Sequence, residues 1–304
     1  MKRDDILWKA LLEDIFDDFL RFFFPDADSR FDFSKDFEFL DKELEQLFPP
    51  QGDEFAPLYV DKLIKVHTVD GNVDWILVHI EVQGYAEDDF PKRMFRYYSR
   101  IADKYDRPIT AFAIFTDSNK NFYPIHHEVD YLGTKLFYSF NTFKIMEQDD
   151  ALLHANNNPF AIAVLTAKLA LTGKKVDDQQ IFNQGINLAK RLFTKQIPKL
   201  KIQSLMYFLR YYIRFDKQEM ITKFENEIST LTEGVRTMGI EEFLIYRAEK
   251  QGIEQGRQEE REKNRLEQQK NMRETAIKMM NRGVDIEIVS DVTGFSIEQL
   301  KHLS

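Results

Sequence analysis

Leu58-Tyr59-Val60-Asp61-Lys62-Leu63-Ile64-Lys65-Val66-His67 and Val73-Asp74-Trp75-Ile76-Leu77-Val78-His79-Ile80-Glu81-Val82-Gln83 are two apolar runs separated by a short polar break containing Asp70-Gly71. Asp-Gly between two such runs is a strong hairpin signal. Opposed residues in an antiparallel hairpin share a constant sum of residue numbers. A loop closed by Val69 and Asn72 sets Asp61 opposite Ile80, whereas one closed by Val69 and Val73 sets Asp61 opposite Glu81. Side chains alternate between faces, so only the second register puts both carboxylates on one face. Gln83 shares the face of Glu81 and is followed by Gly84, where the strand is expected to stop. Two carboxylates at the end of an apolar strand suit a hard divalent cation.

The flanking chain predicts what surrounds this hairpin. Asp4 or Asp5 caps a first helix running to about Phe23, with Leu7, Leu11, Ile15, Phe19 and Phe22 at helical spacing and Pro25 ending it. A second short helix is expected after Ser34, carrying Phe39, Leu40, Leu44 and Leu47, before Pro49-Pro50-Gln51-Gly52 breaks the chain. Beyond the hairpin, Asp89 reads as an N-cap with Pro91 just inside a helix to about Tyr105. Phe90, Met94, Tyr97 or Tyr98, and Ile101 form one face of it, and Lys92, Arg96, Arg100 and Lys104 recur every four residues on another. Residues 109–116 read as a strand buried on both faces, and 135–146 as one or two more, with Leu136, Tyr138 and Phe140 alternating. This order predicts an α/β domain over 1–150, a mixed sheet flanked by helices.

From Asn158-Pro159 onward the pattern turns helical, with helices expected at about 159–172, 177–195, 200–215, 217–230 and 234–270. That predicts an all-helical part: a helical domain over 151–250, then a charged helix or linker over 251–273. The stretch Glu254–Lys270 has Leu266 as its one large apolar residue, so it projects into solvent or bridges modules. The tail, 274–304, reads as three short helices resembling a helix-turn-helix. Gly283 and Gly294 are its stops, Asp285 a cap and Ser296-Ile297-Glu298-Gln299 a capping box.

Composition narrows the function classes. No apolar run is long enough to span a bilayer, so no membrane partner is expected, and the acidic N-terminus lacks the apolar core of a signal peptide. The chain has no cysteine, which excludes disulfides, thiolate metal sites and thiol nucleophiles and fits a cytoplasmic protein. A net charge of −9 argues at first against nucleic acid. Residues 1–57 carry all of it, with 16 acidic and 7 basic residues, leaving 35 of each sign beyond. Within the balanced remainder, residues 188–223 hold nine Lys and Arg against two acidic residues, interleaved with Tyr207, Tyr211 and Tyr212. A DNA-binding face needs local rather than global positive potential.

Five segments occur in a telling order over the first half of the chain: Phe39-Leu40-Asp41-Lys42-Glu43-Leu44, Asp61-Lys62-Leu63, His79-Ile80-Glu81-Val82-Gln83, Arg93-Met94-Phe95-Arg96-Tyr97 and Ala113-Ile114-Phe115-Thr116-Asp117. Together they resemble the PD-(D/E)XK nuclease superfamily and, within it, the Rpn group of recombination-promoting nucleases, also described as transposase-like. The resemblance implies a PD-(D/E)XK-like domain over 1–150 and a metal-dependent endodeoxyribonuclease of low sequence specificity, linked to recombination or mobile elements. Asp61, Glu81 and Gln83 would form its catalytic set, with Mg²⁺ or Mn²⁺ held by Asp61, Glu81 and the main-chain carbonyl of Val82. Glu43 would add a carboxylate from an early helix. Lys92, Arg93, Arg96 and Arg100 would contact DNA phosphates, and the helical C-terminal part would bind DNA or form a homodimer.

One residue departs from the pattern. The position of Gln83 is usually Lys, and Gln cannot lower a water's pKa electrostatically, although its amide can orient a water or a phosphate oxygen. Lys65 shares the face of Asp61 but lies about 13 Å along the strand. Val60 stands where the family has a nominal Pro, and His79 reads as a packed strand histidine. The Gln keeps a second reading open, a non-catalytic DNA-binding or scaffold protein retaining the nuclease fold. In a third, the acidic first 57 residues cover the protein's own basic surface.

Overall fold

The computed structural model describes residues 2–40, 60–70, 75–83, 86, 88–172, 176–194, 196–231 and 270–301, with single helical positions between 252 and 267. Contacts divide the chain into two compact units, Met1–Thr237 and Met238–Ser304. The strands of the first unit are β1 (Glu38–Phe39), β2 (Val60–His67), β3 (Trp75–Gln83), β4 (Ile109–Phe115), β5 (His126–Tyr131), β6 (Thr134–Ser139) and β7 (Asn141–Lys144). Five of them form a mixed sheet in the order β1-β2-β3-β4-β7, while β5 and β6 pair separately. The first three strands run antiparallel, and β3, β4 and β7 run parallel.

Both faces of this sheet are covered, as its apolar strands require. On one face lie α1 (Lys2–Asp14), α2 (Phe16–Phe23) and α3 (Ala27–Arg30). The single helix expected to Phe23 is two, broken at fully buried Ile15, whose backbone leaves helical geometry at φ −125, ψ 31. Beyond the break, Phe16 and Phe19 stack at 5.5 Å and meet Phe37 and Phe112 edge-on. Tertiary packing overrides the continuous helical pattern here. It does so again at β1, expected as helix. Glu38 and Phe39 instead pair with Lys65 and Ile64 of β2, while Leu44 and Leu47 lie outside the described residues.

On the other face lies α4 (Phe90–Tyr105), whose buried Phe90, Met94, Tyr97 and Ile101 are the predicted apolar set. One or two strands were expected over 135–146, and two are found, β6 and β7. The sequence pattern missed β5, because four of its six residues are exposed and it has no buried alternation to read.

The helical part comprises α5 (Asp150–Ala155), α6 (Pro159–Thr172), α7 (Asp178–Thr194), α8 (Lys199–Tyr212) and α9 (Gln218–Leu231). It does not have a core of its own. Trp8 of α1 packs edge-on against Phe208 of α8 at 4.9 Å, and Phe19 of α2 against Phe160 of α6 at 5.4 Å. One cluster joins these residues to Ile64, Ile114 and Phe143 of the sheet. The helices are thus the outer layer over the sheet's α1–α2 face. The expected boundary at residue 150 gives way to a division after Thr237.

In the second unit, residues 270–281 form α10, followed by α11 (Ile286–Thr293) and α12 (Ile297–Lys301). Gly283 and Gly294 adopt φ of +76° and +72°, the left-handed geometry that ends helices. Asp285 caps α11 by accepting the Glu287 N–H at 2.9 Å. Ala276, Val289 and Leu300 make a small core. No helix among the described residues is long and apolar enough to cross a membrane.

Candidate active site

Pairing of β2 with β3 sets Asp61 opposite Glu81, Lys62 opposite Ile80 and His67 opposite Trp75. This is the second of the two registers the sequence allowed. Glu81 is in turn level with Ala113 of β4, and Gln83, the last residue of β3, with Phe115. Alternation assigns these positions to a face. Leu63 packs with Tyr97 and Ile101, and Ala113 and Phe115 pack with Phe90 and Met94. Ile64, Val66 and Ile114 pack on the opposite side. Positions 61, 81 and 83 therefore belong to the α4 face, at the carboxyl ends of the parallel strands. That end of an α/β sheet is where crevices for ligands form.

The helix that follows β3 returns over this end. Its first residue, Phe90, meets Phe115 at 5.3 Å and Phe140 at 6.0 Å, which fixes the first turn of α4 beside the strand ends. Asp89 occupies the N-cap position without a side-chain hydrogen bond to the helix. Arg93, one turn in, is half-buried with its guanidinium carbon 5.2 Å from the Phe90 ring centre. Lys92, Arg96, Arg100 and Lys104 are exposed along the outer side. Val82 lies between Val60 and Ile114, within the strand ladder. Glu43 lies outside the described residues.

Other lysines near the hairpin are committed elsewhere. Lys65 Nζ donates to Glu38 Oε1 at 2.9 Å, which holds it toward β1. Lys62 is fully buried on the α1 side of the sheet, donating to Glu13 Oε1 at 2.5 Å. This pair was not read from the sequence. Its signal was a lysine one residue out of phase with Asp61 in a strand whose every other neighbour is apolar. At the carboxyl ends of β4 and β7, buried Lys144 donates to Asp117 Oδ2 at 2.6 Å and to the Phe122 carbonyl at 3.1 Å. Asp117 accepts the Asn119 N–H at 2.8 Å as well, so its carboxylate is structural.

The basic segment 188–223 does not present a continuous cationic face. Lys201 Nζ donates to Asp17 at 2.6 Å and to Asp18 at 2.7 Å, and Arg214 pairs with Asp4 at 2.6 Å. Arg191 donates to the His154 carbonyl at 2.7 Å, and Arg210 pairs with Glu225 at 3.3 Å. Tyr211 and Tyr212 are buried, and burial pushes the Tyr212 hydroxyl up to about 12. These tyrosines are core residues rather than stacking platforms. The acidic N-terminal helices do meet basic side chains, but across a packed interface that includes Trp8 and Phe208.

Among the described residues no three His, Asp or Glu side chains cluster as a metal site. The register sets Asp61 and Glu81, two carboxylate residues, opposite one another. The chain was compared with protein-family models, curated proteins and solved structures, and none matches it.

Proposed function

We propose that this chain is a Mg²⁺-dependent DNA endonuclease of low sequence specificity, of the PD-(D/E)XK type and akin to the Rpn group, acting in recombination or on mobile elements. One observation carries the proposal: the register that sets Asp61 opposite Glu81 on the α4 face, beside the carboxyl ends of three parallel strands. Asp61, Glu81 and the Val82 carbonyl would hold the ion, because Mg²⁺ takes few protein oxygens and retains several waters. Such an ion, when bound, polarises a phosphodiester and makes hydroxide available at neutral pH. The Gln83 amide, two residues beyond Glu81, is suited to orient the attacking water, both accepting and donating hydrogen bonds. Arg93 at the first turn of α4 would neutralise the scissile phosphate. Exposed Lys92, Arg96 and Arg100 would hold neighbouring phosphates, contacts that position a duplex without reading its sequence.

Nicking of supercoiled plasmid by the purified full chain tests the proposal. Nicking in Mg²⁺ that is lost with EDTA and in both Asp61→Ala and Glu81→Ala supports it. A folded protein that binds DNA but cuts in neither Mg²⁺ nor Mn²⁺ supports the scaffold reading, which Gln83 in place of Lys favours.

A further inference from the structure

Lys62 and Glu13 take no part in the proposed chemistry, yet they form a buried ion pair directly behind the candidate site. Lys62 Nζ lies 2.5 Å from Glu13 Oε1, with side chains 1% and 12% exposed, and 5.3 Å from the Phe39 ring centre. Lys62 follows Asp61 in the chain and stands opposite Ile80, the residue before Glu81. Glu13 comes from the last turn of α1. The pair therefore ties α1 to the row of the hairpin next to the one that holds both carboxylate residues.

Neither half is where stability alone would put it. Lys62 interrupts the face of β2 on which Ile64 and Val66 are buried in the core. A lysine there loses its hydration, and replacing a buried ion pair with apolar residues of similar volume is often neutral or stabilising. Glu13 sits at the carboxyl end of a helix, where the dipole disfavours a carboxylate. An apolar pair would fill the same space but would lack direction. Apolar contact is non-directional, whereas an ammonium–carboxylate hydrogen bond has one short geometry.

The backbone shows why direction matters at this point. β1 pairs with β2 at Ile64 and Lys65, and the Leu40 N–H donates to the Leu63 carbonyl at 2.7 Å. Val60, Asp61 and Lys62 lie beyond that contact. Among the described residues their strand partners come from β3 alone. Asp61 is the second residue of β2. A strand end supported on one side opens at little cost in free energy, and a carboxylate carried on it has no fixed position. The Lys62–Glu13 bond anchors this overhang to a helix.

We propose that Glu13 and Lys62 are positioning residues for the metal site: by clamping the overhanging start of β2 onto α1, they hold position 61 opposite Glu81. This role presupposes the metal site proposed above. Both residues act from the other face of the sheet, since Lys62 shares the side of Ile64 and Val66. Outer partners that fix a metal ligand account for about 10–100-fold in affinity.

Hydrogen exchange and Mn²⁺ calorimetry on full-length variants test this. Glu13→Gln with Lys62→Met removes both charges, keeps the lysine's apolar stem and retains the urea midpoint. Its amides at 61–63 exchange about tenfold faster, and its Mn²⁺ affinity falls by about tenfold or more. Glu13→Lys with Lys62→Glu reverses the pair and restores both. That restoration separates anchoring from a direct effect of the Lys62 charge, which the reversal inverts. Glu13→Gln alone moves both readouts the same way by less, so the test does not hang on the double variant folding. Unchanged exchange at 61–63 in the charge-free variant overturns the proposal. So does faster exchange with unchanged Mn²⁺ affinity where Asp61→Ala lowers it, or a folded reversed pair that restores neither readout. Mn²⁺ binding that survives Asp61→Ala removes the site itself, a failure seen without any change at 13 or 62.

Discussion

Replacing Asp117 with Asn isolates the buried charge pair at the carboxyl end of the sheet. The Lys144 and Asp117 side chains are 1% and 6% exposed and 2.6 Å apart. Asn keeps the shape and one acceptor oxygen but leaves the ammonium in a poorly solvated place with only neutral partners. Removing one member of a buried pair costs about 3–5 kcal/mol, because the remaining charge is uncompensated. The Phe122 carbonyl at 3.1 Å and the Phe115 ring at 5.6 Å remain to hold Nζ. The expected loss therefore sits near the lower end, about 3 kcal/mol. For a unit of this size each kcal/mol moves the midpoint by about 2–4 °C, so Asp117→Asn melts about 10 °C lower. The double variant Asp117→Asn, Lys144→Met removes both charges and recovers at least about 1 kcal/mol of that loss. Thermal and urea unfolding followed by circular dichroism measure both. A single variant within about 1 kcal/mol of the unaltered protein, or a double variant worse than the single, refutes the reasoning.

Other consequences follow from the same geometry. A Cβ at Gly185 of α7 would lie 2.8 Å from Cε2 of the buried Phe224 ring and 3.1 Å from Ile213, so Gly185→Ala lowers stability by about 1–3 kcal/mol in urea unfolding. Burial holds the Asp18 carboxyl above its ordinary 3.8, outweighing the hydrogen bond from Lys201. The folded chain then binds more protons than the unfolded chain just above that value. Stability attributable to Asp18 is therefore present at lower pH and lost as pH rises through its folded pKa. Asp18→Asn removes this slope from the urea midpoint measured between pH 3 and 7. Lys92→Ala and Arg96→Ala, both at exposed positions, change stability by less than about 0.5 kcal/mol. Under the proposed DNA-binding role, each is expected to weaken DNA binding and to reduce the salt slope of the affinity by about 1.

Much of the fold around the hairpin could be read in advance because its determinants are local. Alternation in β2 and β3, the Asp70-Gly71 break and the Asp89/Pro91 start of α4 each act within a few residues. The register choice narrowed to two for the same reason, and pairing settled it at Asp61 opposite Glu81. What escaped depends on distant partners. Glu38 and Phe39 became a strand only because β2 offered an open edge, and Ile15 broke a helix because Phe16 and Phe19 are drawn into a shared aromatic core. The basic count in 188–223 was real, yet Lys201 and Arg214 are consumed by Asp17, Asp18 and Asp4, nearly two hundred residues away in sequence. Composition cannot show which opposite charges meet. Lys62 and Lys144 carried the same ambiguity, since a lysine in an apolar strand reads as an edge residue until its buried carboxylate is known.

The most direct test of the paired carboxylates is a calorimetric titration of Mn²⁺ into the full chain and into its Asp61→Ala, Glu81→Ala and Gln83→Ala variants. In the proposed site Asp61 and Glu81, set opposite one another, would hold the ion together, so the unaltered chain and Gln83→Ala are expected to bind it while either carboxylate variant loses at least about 1.4 kcal/mol, a tenfold drop in affinity. Binding undiminished in both Asp61→Ala and Glu81→Ala would contradict the assignment, since the ion would then be held elsewhere.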